Sequence, residues 1–460
     1  MTDVPFIAAD TPDALPVHAL TADQTQAFLD ERGGAVAAWA GVQGFKGQAG
    51  RVLAVPGADG RPERALFGLG DGADPIVWGW LGARLPKGDW RIALPPAGAD
   101  PTLILTAFGL GTYQFTRYRS KEPLAARLVP PPGADVAAAA RIVAGVSFGR
   151  DLVNAPPNDM GPDALEAAAL ALAADTGARV EVIRGADLLS QNYPLIHAVG
   201  KASAEDPRLV ILRGGRAGGP KVALVGKGVT FDSGGLNIKP GSSMALMKKD
   251  MGGAACVLTL FRLLSEAGLD AELTAYVAIV ENAISGPAFR PGDIYPSRKG
   301  LTVEIDNTDA EGRLILADAL TRASEDGAEL VIDMATLTGA ARVALGPDLP
   351  PFYTSDEVLA GQILAASAAT GEPVWRMPLW SPYRDDLDSP VADMKNSGGA
   401  FAGSVTAALF LQRFVDAPSW VHLDVFCWTP KDRAGRPQGG DVHAVRLLER
   451  MLRDRYGVTG

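Results

Sequence analysis

Six apolar runs punctuate the chain from residue 179 onward: RVEVI, RLVILRG, KVALVG, AELTAYVAIV, ELVIDMATL and SWVHLDVF. They are short and near-continuous in apolar character, the pattern of strands buried on both faces of a sheet. Helical patterns fall between several of them, as AACVLTLFRLLSEAG, RLILADALTRASEDG and SVTAALFLQRFV, and another, DALEAAALALAADTG, precedes them. This order predicts an α/β domain over residues 151–460, with a mixed, largely parallel central sheet flanked by helices. Residues 1–130 mix the runs RVLAVPG, RALFGLG, DWRIALP and PTLILTAF with apolar-rich helical segments, which predicts a smaller N-terminal α/β domain. The Pro-rich break LVPPPGAD leads into an Ala-rich stretch, read as a linker helix over 131–150.

Composition narrows the classes. A chain of 460 residues, 47% hydrophobic and 21% charged, has enough material for two or three domains. No run of about 18 apolar residues is present, and MTDVPFIAADTPDALP has neither a basic start nor an apolar signal core, so a cytoplasmic protein without a membrane partner is expected. Cys256 and Cys427 have no CxxC spacing, which leaves neither a disulfide framework nor a thiolate zinc site. The net charge of −10 makes nucleic acid an unfavoured partner.

The histidines His18, His197, His422 and His443 form no metal-binding pair, and His422 and Asp424 are expected in a core strand and at its end. GVSFG matches a Gly-x-Ser-x-Gly nucleophile turn, but Ser147 falls late in the Ala-rich helical run, without the strand such a turn needs. NTDAEGRL, residues 307–314, lies between a strand-like LTVEID and a helix-like LILADAL. In an extended chain Asp309, Glu311 and Arg313 would face one side at a spacing of about 6.5 Å. A surface ion-pair ladder has the same pattern and is worth little. Against it stand Gly312, which admits close backbone approach, and an upstream cluster. That cluster, within KVALVGKGVTFDSGGLNIKPGSSMALMKKDMGGAA, presents Lys227, Asp232, Lys239 and Asp250. Its Gly pairs and lysines lack the GxxxxGK[ST] spacing of a phosphate loop, and its acids repel anions. Carboxylates gathered at one place repel unless a positive charge sits among them, and a pair of divalent cations supplies it. Carboxylates suit Mg²⁺ or Mn²⁺, whereas a deprotonated lysine shifts preference toward Zn²⁺ or Co²⁺.

With these segments in hand, the chain resembles the leucyl aminopeptidase (cytosol aminopeptidase) family of two-metal metalloaminopeptidases. The likeness continues through LVNAPPNDMGP, ENAISGPAFRPGDIY, DMATLTGA and ADMKNSGGAFAGSVTAALFL, covering residues 150–430; the N-terminal third has no comparable motif. The resemblance implies that Asp232 and Glu311 bridge two metal ions, that Asp309 completes the more exchangeable site, and that Lys227 and Asp250 complete the tighter one. Lys239 and Arg313 would be the catalytic side chains, with a bicarbonate on Arg313 as proton shuttle. Met247, Thr336 and Gly339 would line the pocket for the first side chain, and Leu337 would offer its carbonyl to the peptide. The implied enzyme removes an N-terminal leucine, methionine or other apolar residue from peptides with a free N-terminus, using a metal-bridged hydroxide. The metals implied are Zn²⁺ or Mn²⁺, with Mg²⁺ or Co²⁺ as further choices, and the implied assembly is a homohexamer. Two other readings stand beside this one: the resemblance also implies a DNA-binding regulator, since some bacterial relatives bind DNA, and the same metal cluster would suit a two-metal phosphoesterase.

Overall fold

The computed structural model describes residues 4–6, 11 and 13–459; residues 1–3, 7–10 and 12 of the expected N-terminal domain, and residue 460, lie outside the described residues. The chain forms two compact units, Met1–Ser147 with Thr429–Gly439, and Phe148–Trp428 with Gly440–Gly460. Among the described residues no helix is long and apolar enough to cross a membrane.

In the first unit, strands β1 (Leu15–Thr21), β2 (Val52–Pro56), β3 (Pro62–Gly70), β4 (Gly88–Ile92) and β5 (Ala126–Leu128) form one sheet in the order β2-β3-β1-β4-β5. Only the β2–β3 pair is antiparallel. PTLILTAF departs from the apolar runs around it: it is the first part of helix α1 (Pro101–Gly111). A continuous apolar run reads alike for a buried strand and a buried helix. What decides here is Asp100, whose carboxylate accepts from Thr102 N–H at 2.8 Å and Leu103 N–H at 3.3 Å, followed by Pro101 at the first helical position. Helix α2 (Val136–Asn154) contains Ser147, so no nucleophile turn exists there.

The second unit is built on an eight-stranded sheet. Its strands are β6 (Arg179–Arg184), β7 (Arg208–Gly215), β8 (Lys221–Asp232), β9 (Glu272–Asn282), β10 (Leu330–Ala335), β11 (Pro351–Tyr353), β12 (Trp375–Arg376) and β13 (Ser419–Asp424). The order is β12-β11-β13-β10-β8-β9-β7-β6, and all six apolar runs are strands in it. The central β13-β10-β8-β9 is parallel, while β7, β6 and β11 pair antiparallel to their inner neighbours. Helices α3 (Pro162–Thr176), α4 (Gly252–Glu266), α5 (Gly312–Glu325), α6 (Gly339–Leu345) and α7 (Gly403–Gln412) belong to the same unit. Every residue of β10 and of β13 is buried, which explains why both read as near-continuous apolar runs, broken only by Asp333 in β10 and by Ser419, His422 and Asp424 in β13. Register places Ala335 opposite Asp424, so β10 and β13 end level with each other. Such carboxyl ends are where open α/β sheets bind ligands.

Helix α5 is buried on nearly all sides, and its Leu314, Ile315, Leu316 and Leu320 are fully enclosed. Each contributes about 1.5–3 kcal/mol of burial, so the helix is a rigid mount for its first turn. Asp318 on this helix accepts from Leu195 N–H at 2.8 Å, Ile196 N–H at 3.3 Å and Arg298 N–H at 2.8 Å. Burial pushes its carboxyl up to about 7. The folded state therefore keeps a proton that the unfolded chain loses near its ordinary value of about 3.9, and the associated stability, complete below that value, is lost as pH rises toward 7. Melting curves from pH 4.5 to 7.5 should fall less steeply for Asp318→Asn than for the parent protein; equal slopes would remove Asp318 from the account.

Candidate active site

Strand β8 carries Lys227 within it and Asp232 at its end, and a Gly-rich loop follows that brings Lys239 back over the strand. Asp250 ends a short 3-10 turn, Met247–Lys249, just ahead of α4. The NTDAEGRL segment is not extended. The strand before it covers only Thr302–Glu304, Thr308 and Asp309 form a turn, Glu311 is already helical (φ −75°, ψ −33°), and Arg313 lies in the first turn of α5. Asp309 and Glu311 converge through a turn and a helix start rather than through strand alternation.

Four carboxylates and two lysines interlock. Lys227 Nζ stands 2.7 Å from Asp250 Oδ2 and 2.9 Å from Glu311 Oε1, and donates to the Thr336 carbonyl at 2.8 Å. Lys239 Nζ stands 2.7 Å from Asp232 Oδ2 and 2.5 Å from Asp309 Oδ1. Oxygens of Asp232, Asp309 and Glu311 all lie within 4.8 Å of one another. Burial first, and then the charge of Asp232, push the Glu311 carboxyl up to about 8, although Lys227 pulls the other way. Burial likewise raises Asp309 above its ordinary range, and the surrounding carboxylates raise both lysines. Glu311 Oε2 is buried and, among the described residues, accepts no hydrogen bond. Two lysines do not balance four acids, and an orphaned carboxylate oxygen among them is what a cation-binding cluster presents before its cation arrives. The donor set fits divalent metal.

Arg313 is 7% exposed; its Nη1 donates to the Asn396 carbonyl at 2.9 Å, and its buried Nε has no partner among the described residues. Burial pushes this guanidinium down to about 10, against the pull of Glu311 and Asp424. Neighbouring amides hold the cluster together. Asn282 Nδ2 donates to Asp232 Oδ1 at 2.8 Å and to the Thr308 carbonyl at 3.0 Å, tying β8 to the turn. Asn396, fully buried, accepts from Asp306 and Asn307 N–H and donates to the Asn307 and Ala310 carbonyls. A carboxamide that satisfies four backbone groups of one loop fixes its shape.

A cavity of about 470 Å³ opens beside the cluster. Lys227, Asp232, Lys239, Asp250 and Asp309 line it, together with Met247, Thr336, Leu337 and Gly339. Glu311 and Arg313 are not among the residues lining it and are buried, Glu311 1% exposed. Lys249, Asp424 and Phe426, to which the sequence assigned no part in a pocket, line it as well. Asp424 ends β13 as expected, yet it also accepts from Leu337 N–H at 3.1 Å, Thr338 N–H at 3.2 Å and Thr338 Oγ1 at 2.6 Å, so it shapes the turn from β10 into α6. His422 remains in the strand interior, its Nδ1 2.5 Å from Asp333 Oδ1, while Trp420 Nε1 donates to Asp333 Oδ2 at 2.7 Å.

The profile described as "Cytosol aminopeptidase family, catalytic domain" matches residues 147–449, and that described as "M17 aminopeptidase, N-terminal domain" matches residues 15–131. A probable cytosol aminopeptidase of Methylobacterium radiotolerans is 39% identical over 451 residues, covering 92% of this chain and 90% of its own. Among solved structures, the cytosol aminopeptidase from Coxiella burnetii aligns with a TM-score of 0.93 at 41% identity, covering 98% of this chain and 99% of that one. The bottromycin maturation enzyme BotP in complex with Mn aligns with a TM-score of 0.88 at 35% identity, over 97% of this chain and 100% of that one.

Proposed function

Because the chain belongs to the cytosol aminopeptidase family and is an aminopeptidase, a hydrolase acting on peptides, we propose that its site is the acidic cluster at the end of β8 and the start of α5. Asp232, Asp309 and Glu311 would hold two divalent ions together with Lys227 and Asp250, and Zn²⁺ and Mn²⁺ are the expected metals. The observation that carries this reading is the buried Glu311 Oε2 without a partner, within reach of two further carboxylates. When bound, such a pair supplies Lewis acidity, lowering the pKa of water and polarising a carbonyl.

The remaining roles fall to this chain's own groups. Carboxylates along one cavity wall favour a substrate's free amino terminus, which confines cleavage to the first peptide bond. Lys239, held as a cation by Asp232 and Asp309, donates to the oxyanion that forms as the scissile carbonyl becomes tetrahedral. Arg313 cannot act as a base, since its guanidinium stays protonated at neutral pH. Its unpartnered Nε supports a bound anion instead, and bicarbonate is the anion we assign as proton carrier. Met247, Thr336 and Gly339 receive the first side chain, with leucine and methionine among those accepted, and the Leu337 carbonyl receives the peptide. Asp424 positions that carbonyl through the Leu337 and Thr338 amides.

The test is hydrolysis of leucine amide beside its N-acetylated twin, before and after chelation and with Zn²⁺ or Mn²⁺ restored. Cleavage of the free amine alone, lost on chelation and regained with metal, is expected; equal cleavage of both twins would refute the proposed site. For Arg313→Ala we expect kcat to fall about 10²–10³-fold with metal content nearly intact. Loss of the metal along with the rate would show that Arg313 supports the cluster instead.

A further inference from the structure

Lys249 lines the cavity and has no part in the chemistry above. It is 5% exposed, yet among the described residues its Nζ has no hydrogen bond and no ion pair; its one close partner is the ring of Phe426, with the centroid 4.7 Å away. The acids nearest to it in charge, Asp250 and Asp424, are engaged elsewhere, Asp250 with Lys227 and Thr336 and Asp424 with Ser404 and the 337–338 turn. Arg342, exposed on α6, also lines the cavity, with its guanidinium carbon 5.7 Å from the centroid of the same ring. A buried amino group without a hydrogen-bonding or ionic partner in the protein has donors left over, and a ligand carboxylate is the group that satisfies them best. The Lys249 stem, Met247 and Phe426 offer apolar surface, and the ammonium stands beyond it as a polar end-group.

We propose that Lys249, with Arg342 beside it, binds the side-chain carboxylate of an acidic first residue, so that peptides beginning with glutamate or aspartate are substrates as well as those beginning with apolar residues. This rests on the reading that Met247, Thr336 and Gly339 surround the first side chain. A carboxylate could also come from the C-terminus of a dipeptide, and the experiment separates the two sources.

The metal-loaded enzyme is assayed on the amides of glutamate, glutamine and leucine, and on Leu-Gly and its C-terminal amide. The glutamate amide should exceed the isosteric glutamine amide in kcat/KM by about 10–100-fold, the range of a charge-assisted contact. In Lys249→Met the ratio of glutamate to leucine amide should fall by about 30-fold, and Lys249→Arg should recover part of it. If the methionine variant does not fold, the glutamate–glutamine comparison in the parent protein still decides. Equal rates on glutamate and glutamine amides overturn the proposal, and a preference for Leu-Gly over its amide with no such discrimination moves the carboxylate to the leaving side and overturns it too. Cleavage of leucine amide with rejection of glutamate amide overturns this inference alone; no cleavage of any free-amine substrate overturns the aminopeptidase site with it.

Discussion

Glu311→Gln should lower kcat/KM by about 10³-fold while raising the melting temperature of the chelated protein by roughly 2 °C. Both effects come from one arrangement. Without metal, Glu311 is buried between Asp232 and Asp250, and its carboxyl is pushed up to about 8 by burial and by Asp232. Lys227 offsets part of this, but it is shared with Asp250. A neutral isostere keeps an oxygen to accept from Lys227 and takes up no proton on folding, so the metal-free protein gains the stability that raising the carboxyl to about 8 costs it. The same change takes from the cluster the anion that a dication requires, and turnover goes with it. Stability and activity thus move in opposite directions, as they do where a site stores unfavourable charge for its ligand. Calorimetry on both chelated proteins, alongside metal content and rates, checks it; a variant that melts lower when chelated, or one that keeps its metal and works within about ten-fold of the parent, would sink the idea.

What the bare sequence discloses follows from how local each signal is. β10 and β13 are buried over their whole length, and burial leaves a near-continuous apolar imprint that needs no tertiary knowledge to read. PTLILTAF carries the same imprint for a different reason, and only the Asp100 cap and Pro101 distinguish it. β1, with the half-exposed sequence LPVHALT, left too weak an alternation to be read as a strand. At the site, Asp309 and Glu311 do meet, but the assumed strand geometry was wrong, because Thr308 and Asp309 turn the chain and Gly312 opens a helix. The acids and lysines of the two segments pointed to one cation-binding cluster by their chemistry, and the resemblance added which residues would share the metals. Lys249, Asp424, Phe426 and Asn396 lie in segments that the sequence singles out, yet their roles at the site stay illegible there, because each acts on groups far away in sequence, as Asn396 does on residues 306–310, and only the folded sheet brings them together.

Gly312→Ala should leave the fold intact and disable the site. A Cβ at this position would stand 2.6 Å from Lys227 Cε, 2.7 Å from Cδ and 2.8 Å from Nζ. The obstacle is the far end of a flexible side chain, so the backbone need not move and α5 gains a better helix former at its first position. Lys227 must yield instead, yet its Nζ is held at once by Asp250, Glu311 and the Thr336 carbonyl. Displacing it separates the ammonium from two buried carboxylates and shifts a proposed ligand. We expect metal affinity to fall about 10–100-fold and kcat/KM to fall about 10²-fold, with the melting temperature within a few degrees of the parent. Gly361→Ala is the control: it lies exposed in the helix Glu357–Thr370, where an added Cβ meets nothing within 4 Å, and it should stabilise by about 0.5–1 kcal/mol. Metal titration of the two variants decides the matter, since Gly312→Ala binding metal as tightly as Gly361→Ala would mean that Lys227 moves freely and is no part of the metal site.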